Sequence, residues 1–198
     1  MTKVGKFPES VPARLGLQKA RKGKDKNLEK HGQLNLFSGG KVVKLHQLTP
    51  FEEALLMDEQ DNLHSARLMY EKAIVENDST ADAFCNLGIL EFKAGQYAKA
   101  IDCFTNCLKH EPRHFEAHYN LANLYSEVGE FSLAKFHSQV AIEIEPEFTN
   151  SYFNLGLTHA MCKDYKDAIG VLLRYRALVS QEEHKLVDDL VNALQRNV

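Results

Sequence analysis

The sequence predicts an all-α solenoid built from helix-turn-helix repeats. The tripeptide Asn-Leu-Gly at 86–88 returns as Asn-Leu-Ala at 120–122 and as Asn-Leu-Gly at 154–156, 34 residues apart each time. Apolar residues recur at helical spacing between these copies, and prolines follow at regular places. A fixed period of this length is typical of repeat proteins, in which each unit buries its apolar face against its neighbours.

Each unit is predicted to contain two helices joined by a short turn. In the second unit, residues 93–96 separate two apolar stretches and fit a turn. Gly88 and Ala100 are small, so they would let the two helices approach closely. Pro112 and Pro146 lie just past the second helices of two units, where proline ends a helix. The apolar residues at helical spacing in the second unit are Phe84, Leu87, Leu90 and Phe92, then Tyr97, Ala100, Ile101, Phe104, Cys107 and Leu108.

The same register divides the chain into a tail, four repeats and a cap. Residues 1–46 are predicted to form a basic, disordered tail. Residues 181–198 carry leucine and valine on one side and charges on the other, as expected of a helix that caps a repeat array. The four predicted repeats cover 47–80, 81–114, 115–148 and 149–180.

Small, aromatic and proline positions recur in phase across the repeats. They are Leu87, Gly88, Gly95, Tyr97, Ala100, Phe104 and Pro112 in the second unit, Leu121, Ala122, Tyr125, Gly129, Phe131, Ala134 and Pro146 in the third, and Leu155, Gly156, Tyr165, Ala168 and Leu172 in the fourth. This pattern resembles the tetratricopeptide repeat, whose signature is W-x2-L-G-x2-Y…A-x3-F…P over 34 residues. The sequence departs from that signature at Glu91 and His159, which replace the usual tyrosine. The resemblance covers residues 47–180 and implies a concave groove, lined by the first helices, that binds a partner polypeptide.

Three asparagines occupy position 6 of their repeats: Asn86, Asn120 and Asn154. In the family that the sequence resembles, positions 2, 5, 6, 9, 12 and 13 tend to face the groove. A carboxamide offers both a donor and an acceptor, as an extended peptide backbone requires, whereas asparagine is a mediocre helix former. The asparagines are therefore predicted either to contact a peptide or to bond to a neighbouring helix, and the sequence leaves both interpretations open.

Further groove positions suggest how a peptide would be held. The same register predicts that Tyr119 and Phe153 act as apolar anchors and that Asn123 is a polar contact. Lys93 is the one basic residue at the groove positions of repeats two to four, so the clamp that some members of the family use for C-terminal carboxylates is not expected.

The net charge of −3 conceals two regions of opposite sign. Residues 1–45 carry eleven Lys and Arg against three Asp and Glu, whereas residues 46–198 carry thirteen against twenty-four. A basic tail can attract nucleic acid by neutralising phosphates, can act as a solubilising segment, or can fold back on the acidic body. The sequence does not decide among these three.

The tail contains Gln33, Leu34, Asn35, Leu36 and Phe37. This pentapeptide resembles the linear motif by which many bacterial proteins bind the replicative sliding clamp. Leu36 and Phe37 would fill an apolar pocket while Gln33 offers an amide. The alternative is that the apolar residues pack on the first repeat.

The sequence predicts neither an enzyme nor a cofactor-binding or metal-binding protein. It has no phosphate-binding glycine loop and no nucleophile elbow, and its four cysteines lack the paired spacing of a zinc site. No apolar stretch reaches the length of a membrane span, and no secretory signal is apparent, so we expect no membrane partner, reduced thiols and a cytoplasmic location. The predicted function is that of an adaptor that binds a partner polypeptide in its groove. The alternative is a factor associated with DNA replication or nucleic acid, directed by the tail.

Overall fold

The computed structural model describes residues 16–20 and 48–197. These residues contain nine α helices and no strand. They belong to two compact units. The N-terminal unit contains residues 19–20 and 48–110, and the C-terminal unit contains residues 16–18 and 111–197. In both units, consecutive helices pack as antiparallel pairs, which confirms the predicted all-α repeat class for the described residues.

The N-terminal unit holds two helix pairs: α1 (Pro50–Glu59) with α2 (Leu63–Val75), and α3 (Thr80–Lys93) with α4 (Tyr97–His110). Helix α1 begins with a capping box in which Thr49 and Glu52 satisfy each other's backbone N–H groups, and Pro50 occupies the first helical position. The core of this unit lies between the pairs and contains Phe51, Ala54, Ala66, Tyr70, Ala73, Ala83, Leu87 and Leu90.

The C-terminal unit holds two further pairs and a ninth helix. The pairs are α5 (Phe115–Glu127) with α6 (Phe131–Ile144), and α7 (Thr149–Met161) with α8 (Tyr165–Leu178). Helix α9 (Gln181–Gln195) packs on α8 and is the predicted cap. Its Val187, Leu190, Val191 and Leu194 join Leu172 and Tyr175 in one buried cluster.

The turn inside each helix pair requires one residue in the left-handed conformation. Gly95 and Gly129 take this place in the second and third repeats, with φ values of +73° and +83°. Asp61 and Lys163 take it in the first and fourth, with φ values of 59° and 65°. Because side chains with a Cβ are disfavoured in this region, the recurring glycine of the repeat is explained by backbone geometry.

The glycine at position 8 has a different role, namely close helix contact. A Cβ built on Gly88 would lie 2.7 Å from Cε1 of Phe104, and one built on Gly156 would lie 2.8 Å from Cγ of Leu172. Phe104 and Leu172 are fully buried, so neither can move aside freely.

We predict opposite effects for two glycines of the C-terminal unit. Gly156→Ala should lower the free energy of unfolding by about 1–3 kcal/mol, because the new methyl group would overpack the core beside Leu172. Gly170→Ala should instead raise it by about 0.5–1 kcal/mol, because Gly170 lies in a helix and its new methyl group would have no atom within 4 Å. Urea unfolding of both variants measures the two changes, and equal effects would contradict the packing argument.

Candidate peptide-binding site

In a short described segment, residues 16–20, the last three residues contact side chains on first helices of the repeats. In the N-terminal unit, the N–H of Ala20 donates to Oδ1 of Asn86, and Nδ2 of Asn86 donates to the carbonyl of Ala20, both at 2.9 Å. Asn86 and Ala20 are buried. The carboxamide of Asn86 thus uses its donor and its acceptor on the backbone of one residue.

The C-terminal unit repeats this arrangement with Asn120. The N–H of Gln18 donates to Oδ1 of Asn120, and Nδ2 of Asn120 donates to the carbonyl of Gln18, both at 2.8 Å. The two asparagines share position 6 of their repeats, and the two residues that they bind are two apart in sequence. A period of two is that of extended backbone, in which N–H and C=O of the same residue point to one side.

Within each unit, the carboxamide thus pairs with the backbone of one residue as a neighbouring strand would. Because these contacts involve only backbone atoms of the bound residue, they do not specify its side chain. Both asparagines are buried, so a bound backbone also satisfies polar groups that would be costly to leave unpaired.

A charged contact accompanies the backbone bonds in the N-terminal unit. Nζ of Lys19 lies 2.6 Å from Oδ2 of Asp58, on α1. The same carboxylate oxygen accepts from the hydroxyl of Tyr70 at 3.4 Å. Burial raises the pKa of Tyr70, and the negative charge of Asp58 raises it further, so Tyr70 stays a neutral donor.

Asn154 has a different set of partners from the other two asparagines. Its Nδ2 donates to the hydroxyl of Tyr119 at 3.0 Å and to Oδ1 of Asn123 at 2.9 Å. The structure therefore places Asn154 in a linkage between α7 and α5, which was the alternative interpretation of the asparagine positions. Oδ1 of Asn154 and Nδ2 of Asn123 are buried and have no hydrogen-bond partner.

The two predicted aromatic anchors are buried. Tyr119 packs edge-to-face on Phe148, with ring centroids 5.2 Å apart, and burial raises the pKa of its hydroxyl. Phe153 is fully buried and lies 5.2 Å from the ring of Tyr175 in the core of the C-terminal unit. Both residues therefore help to build the unit, and their role as peptide anchors stays a prediction.

Two histidines of the C-terminal unit, His118 and His137, form a partly buried pair. His118 contacts His137, with 2.9 Å between their Nδ1 atoms, and its Nε2 lies 3.1 Å from the carbonyl of Pro112. Because a carbonyl only accepts, Nε2 of His118 carries the proton and its Nδ1 accepts from His137. The described residues contain no group of three or more His, Cys, Asp or Glu placed to hold a metal ion. Their four cysteines, Cys85, Cys103, Cys107 and Cys162, are free thiols.

Sequence reasoning missed Asp58 and the bound segment. Asp58 stands at position 12 of the first repeat, one of the positions expected to face a groove, so applying the register to residues 47–80 would have identified it. No pattern singles out residues 16–20, although folding back of the tail was one of three interpretations. The predicted clamp motif, Gln33, Leu34, Leu36 and Phe37, lies outside the described residues.

Comparisons with known proteins agree with the fold. Two family models, both described as tetratricopeptide repeat, match residues 81–114 and 103–136. Anaphase-promoting complex subunit 3 of Schizosaccharomyces pombe (strain 972 / ATCC 24843) is 31% identical over 107 residues. That match covers 54% of this chain and 16% of the relative, so the chain spans about one sixth of the relative's length.

Solved structures show the same fold. YrrB, described as a TPR protein with an unusual peptide-binding site, has a TM-score of 0.64 and 20% identity, covering 75% of this chain and 77% of YrrB. The TPR2B domain of yeast Sti1, in complex with pHsp70, has a TM-score of 0.55 and 20% identity, covering 60% of this chain and 98% of that domain.

Fold and register together define an all-α helical-repeat protein. The chain contains tetratricopeptide repeats, as the sequence pattern indicated. Within the described residues, no helix combines the length and the apolar character needed to cross a bilayer.

Replacing Asn120 and Asn154 separately should distinguish the two kinds of asparagine. Asn120→Ala should speed hydrogen exchange of the Gln18 amide, because its acceptor is lost. Asn154→Ala should leave that amide protected but lower the free energy of unfolding by about 1–3 kcal/mol, because Asn123 and Tyr119 lose a partner. Exchange mass spectrometry and urea unfolding measure these effects. Faster exchange of Gln18 in Asn154→Ala would contradict the distinction.

Stability should fall in mild acid because of the histidine pair. Burial, with the neighbouring His118, lowers the pKa of His137 to about 4. The unfolded chain would take up a proton near the ordinary value of 6.5, so the free energy of unfolding decreases as the pH falls from about 6.5 to about 4. We expect a loss of about 1–2 kcal/mol after allowing for partial exposure.

The pH effect is measured by urea unfolding at several pH values. His137→Gln should remove the part of the pH dependence that belongs to His137, whereas His64→Gln, which replaces an exposed histidine, should retain it. An unchanged pH profile in His137→Gln would contradict the assignment.

Proposed function

We propose that this protein is a non-enzymatic interaction adaptor that binds an extended polypeptide along the first helices of its repeats. The observation that carries the proposal is the two-bond contact of Asn86 with Ala20 and of Asn120 with Gln18. These asparagines bind backbone atoms, which any extended polypeptide presents. Backbone bonding of this kind supplies affinity in peptide recognition by strand addition, while side-chain contacts supply specificity.

Similar proteins support the same class of function. The Sti1 domain is described in a complex with pHsp70, and YrrB is described as having a peptide-binding site. Because these proteins are only 20% identical in sequence to this chain, the likeness shows the fold alone. The partner of this protein has to be determined by experiment. A cytoplasmic location stays a prediction. Neither the described residues nor the comparisons support binding to a sliding clamp or to nucleic acid.

The resident segment gives a direct test. A truncated chain of residues 47–198 retains all nine described helices and Thr49, the N-cap of α1, but lacks the segment. A labelled peptide with the sequence of residues 14–22 should bind this chain with a Kd of about 1–100 μM, since short extended peptides lose much conformational entropy on binding. Fluorescence anisotropy measures the affinity.

Asn86→Ala with Asn120→Ala in the truncated chain should weaken binding at least tenfold, because the backbone bonds of the peptide are lost. Gln139→Ala, which changes an exposed amide on α6, is the matched control and should leave the affinity unchanged. Absence of binding at millimolar peptide, with a truncated chain that is folded by circular dichroism, would contradict the proposed function.

A further inference from the structure

The dipeptide Lys19-Ala20 is held by its side chains as well as by its backbone. The ammonium group of Lys19 contacts Asp58 at 2.6 Å, and the Asp58 side chain is only 2% exposed. Ala20, whose backbone is bound by Asn86, is only 1% exposed. All four residues belong to the N-terminal unit, so this unit by itself contains a contact for a cation next to a contact for a small residue.

Asp58 makes a positive charge necessary at the first of these places. With the segment bound, the carboxylate is buried, its Oδ1 has no hydrogen-bond partner, and its Oδ2 has one long contact to Tyr70 besides Lys19. A neutral side chain in the place of Lys19 would bury this carboxylate without a compensating charge, which is costly. The two other cations of this unit with ion pairs in the described residues contact different carboxylates: Arg67 contacts Glu91, and Lys72 contacts Glu76.

Burial of Ala20 makes a small side chain necessary at the second place. Its N–H and carbonyl are fixed on Asn86, so the residue cannot withdraw to accommodate a larger group without breaking those bonds. A larger side chain would have to displace closely packed neighbours. Asp58 and Asn86 are therefore suited to a pair of adjacent residues, the first cationic and the second small.

We propose that the N-terminal unit selects polypeptides that present, in extended conformation, Lys or Arg followed by a small residue, and that Lys19-Ala20 is a resident copy of this ligand. The inference rests on the proposed function and names the class of partner. A partner with the same dipeptide displaces the resident segment, which competes with it as a part of the same chain. Asp58 is the residue that determines the charge preference.

The test uses the full chain with the resident segment weakened. Lys19→Glu places a carboxylate beside Asp58 and should release the segment, so the peptide of residues 14–22 should bind this variant at least tenfold more tightly than it binds the native chain. Peptides with Arg in place of Lys19, or with Ser in place of Ala20, should bind equally well. Peptides with Met or Glu in place of Lys19, or with Leu in place of Ala20, should bind at least tenfold more weakly.

Asp58→Asn tests the origin of the charge preference with a side chain of the same shape. Added to Lys19→Glu, it should reduce the preference for the Lys peptide over the Met peptide to less than about twofold, because the buried negative charge is gone. Asp61→Asn removes an exposed carboxylate three residues away and should keep the full preference. Thermal unfolding by circular dichroism establishes that the compared chains are folded.

Three results would overturn the proposal. Peptide binding without any preference for the cation or the small residue would refute the selectivity but leave the proposed function intact. Absence of binding to every variant would show that residues 16–20 are a fixed part of the fold. Hydrogen exchange of the Ala20 amide in the native chain gives the third result: protection that increases with protein concentration would show that a second copy of the chain supplies the segment.

Discussion

A buried carboxamide must satisfy a donor and an acceptor at the same time, and this requirement organises the first helices of the repeats. Water is excluded around Asn86, Asn120 and Asn154, so each amide must find partners within the protein. A residue of extended backbone meets the requirement completely, because it offers one N–H and one C=O on the same side. The backbone of the bound segment thus supplies the hydrogen-bond partners that the buried asparagines require.

Only two of the three asparagines satisfy this constraint at both ends of the amide. Asn86 and Asn120 each use both ends of the amide on a single backbone residue. Asn154 uses only its NH2 group, on Tyr119 and Asn123, and its Oδ1 stays without a partner. The same residue at the same repeat position therefore serves polypeptide contact in two repeats and linkage between helices in the fourth.

Charge acts at two levels in this protein. Over the whole sequence, a basic region precedes an acidic one, which favours their association in general but does not select a register. At the level of single residues, the contact of Lys19 with Asp58 fixes which residue of the segment lies beside which helix. The backbone bonds to asparagine recur and do not depend on the side chain of the bound residue. The ion pair of Lys19 and the small size of Ala20 therefore determine which residues occupy these positions.

The sequence by itself determined the fold class, the repeat length and the placement of small residues. These follow from local rules: apolar spacing requires helices, position 15 requires a left-handed residue at Gly95 and Gly129, and position 8 requires a glycine where Gly88 meets Phe104 and Gly156 meets Leu172. It also identified the asparagines as unusual, because a polar residue on an apolar helix demands a partner.

Only the tertiary structure decided which partner each asparagine has. Residues 18 and 20 are separated from Asn120 and Asn86 by 102 and 66 positions, and hydrogen bonds between distant backbone and side-chain groups leave no periodic trace in the sequence. The role of Asp58 was hidden for the same reason, since one carboxylate among many on an acidic chain becomes distinctive only when it is buried beside a single ammonium group. Local periodicity thus defines the repeats, whereas contacts between residues far apart in the sequence define the partners of the asparagines.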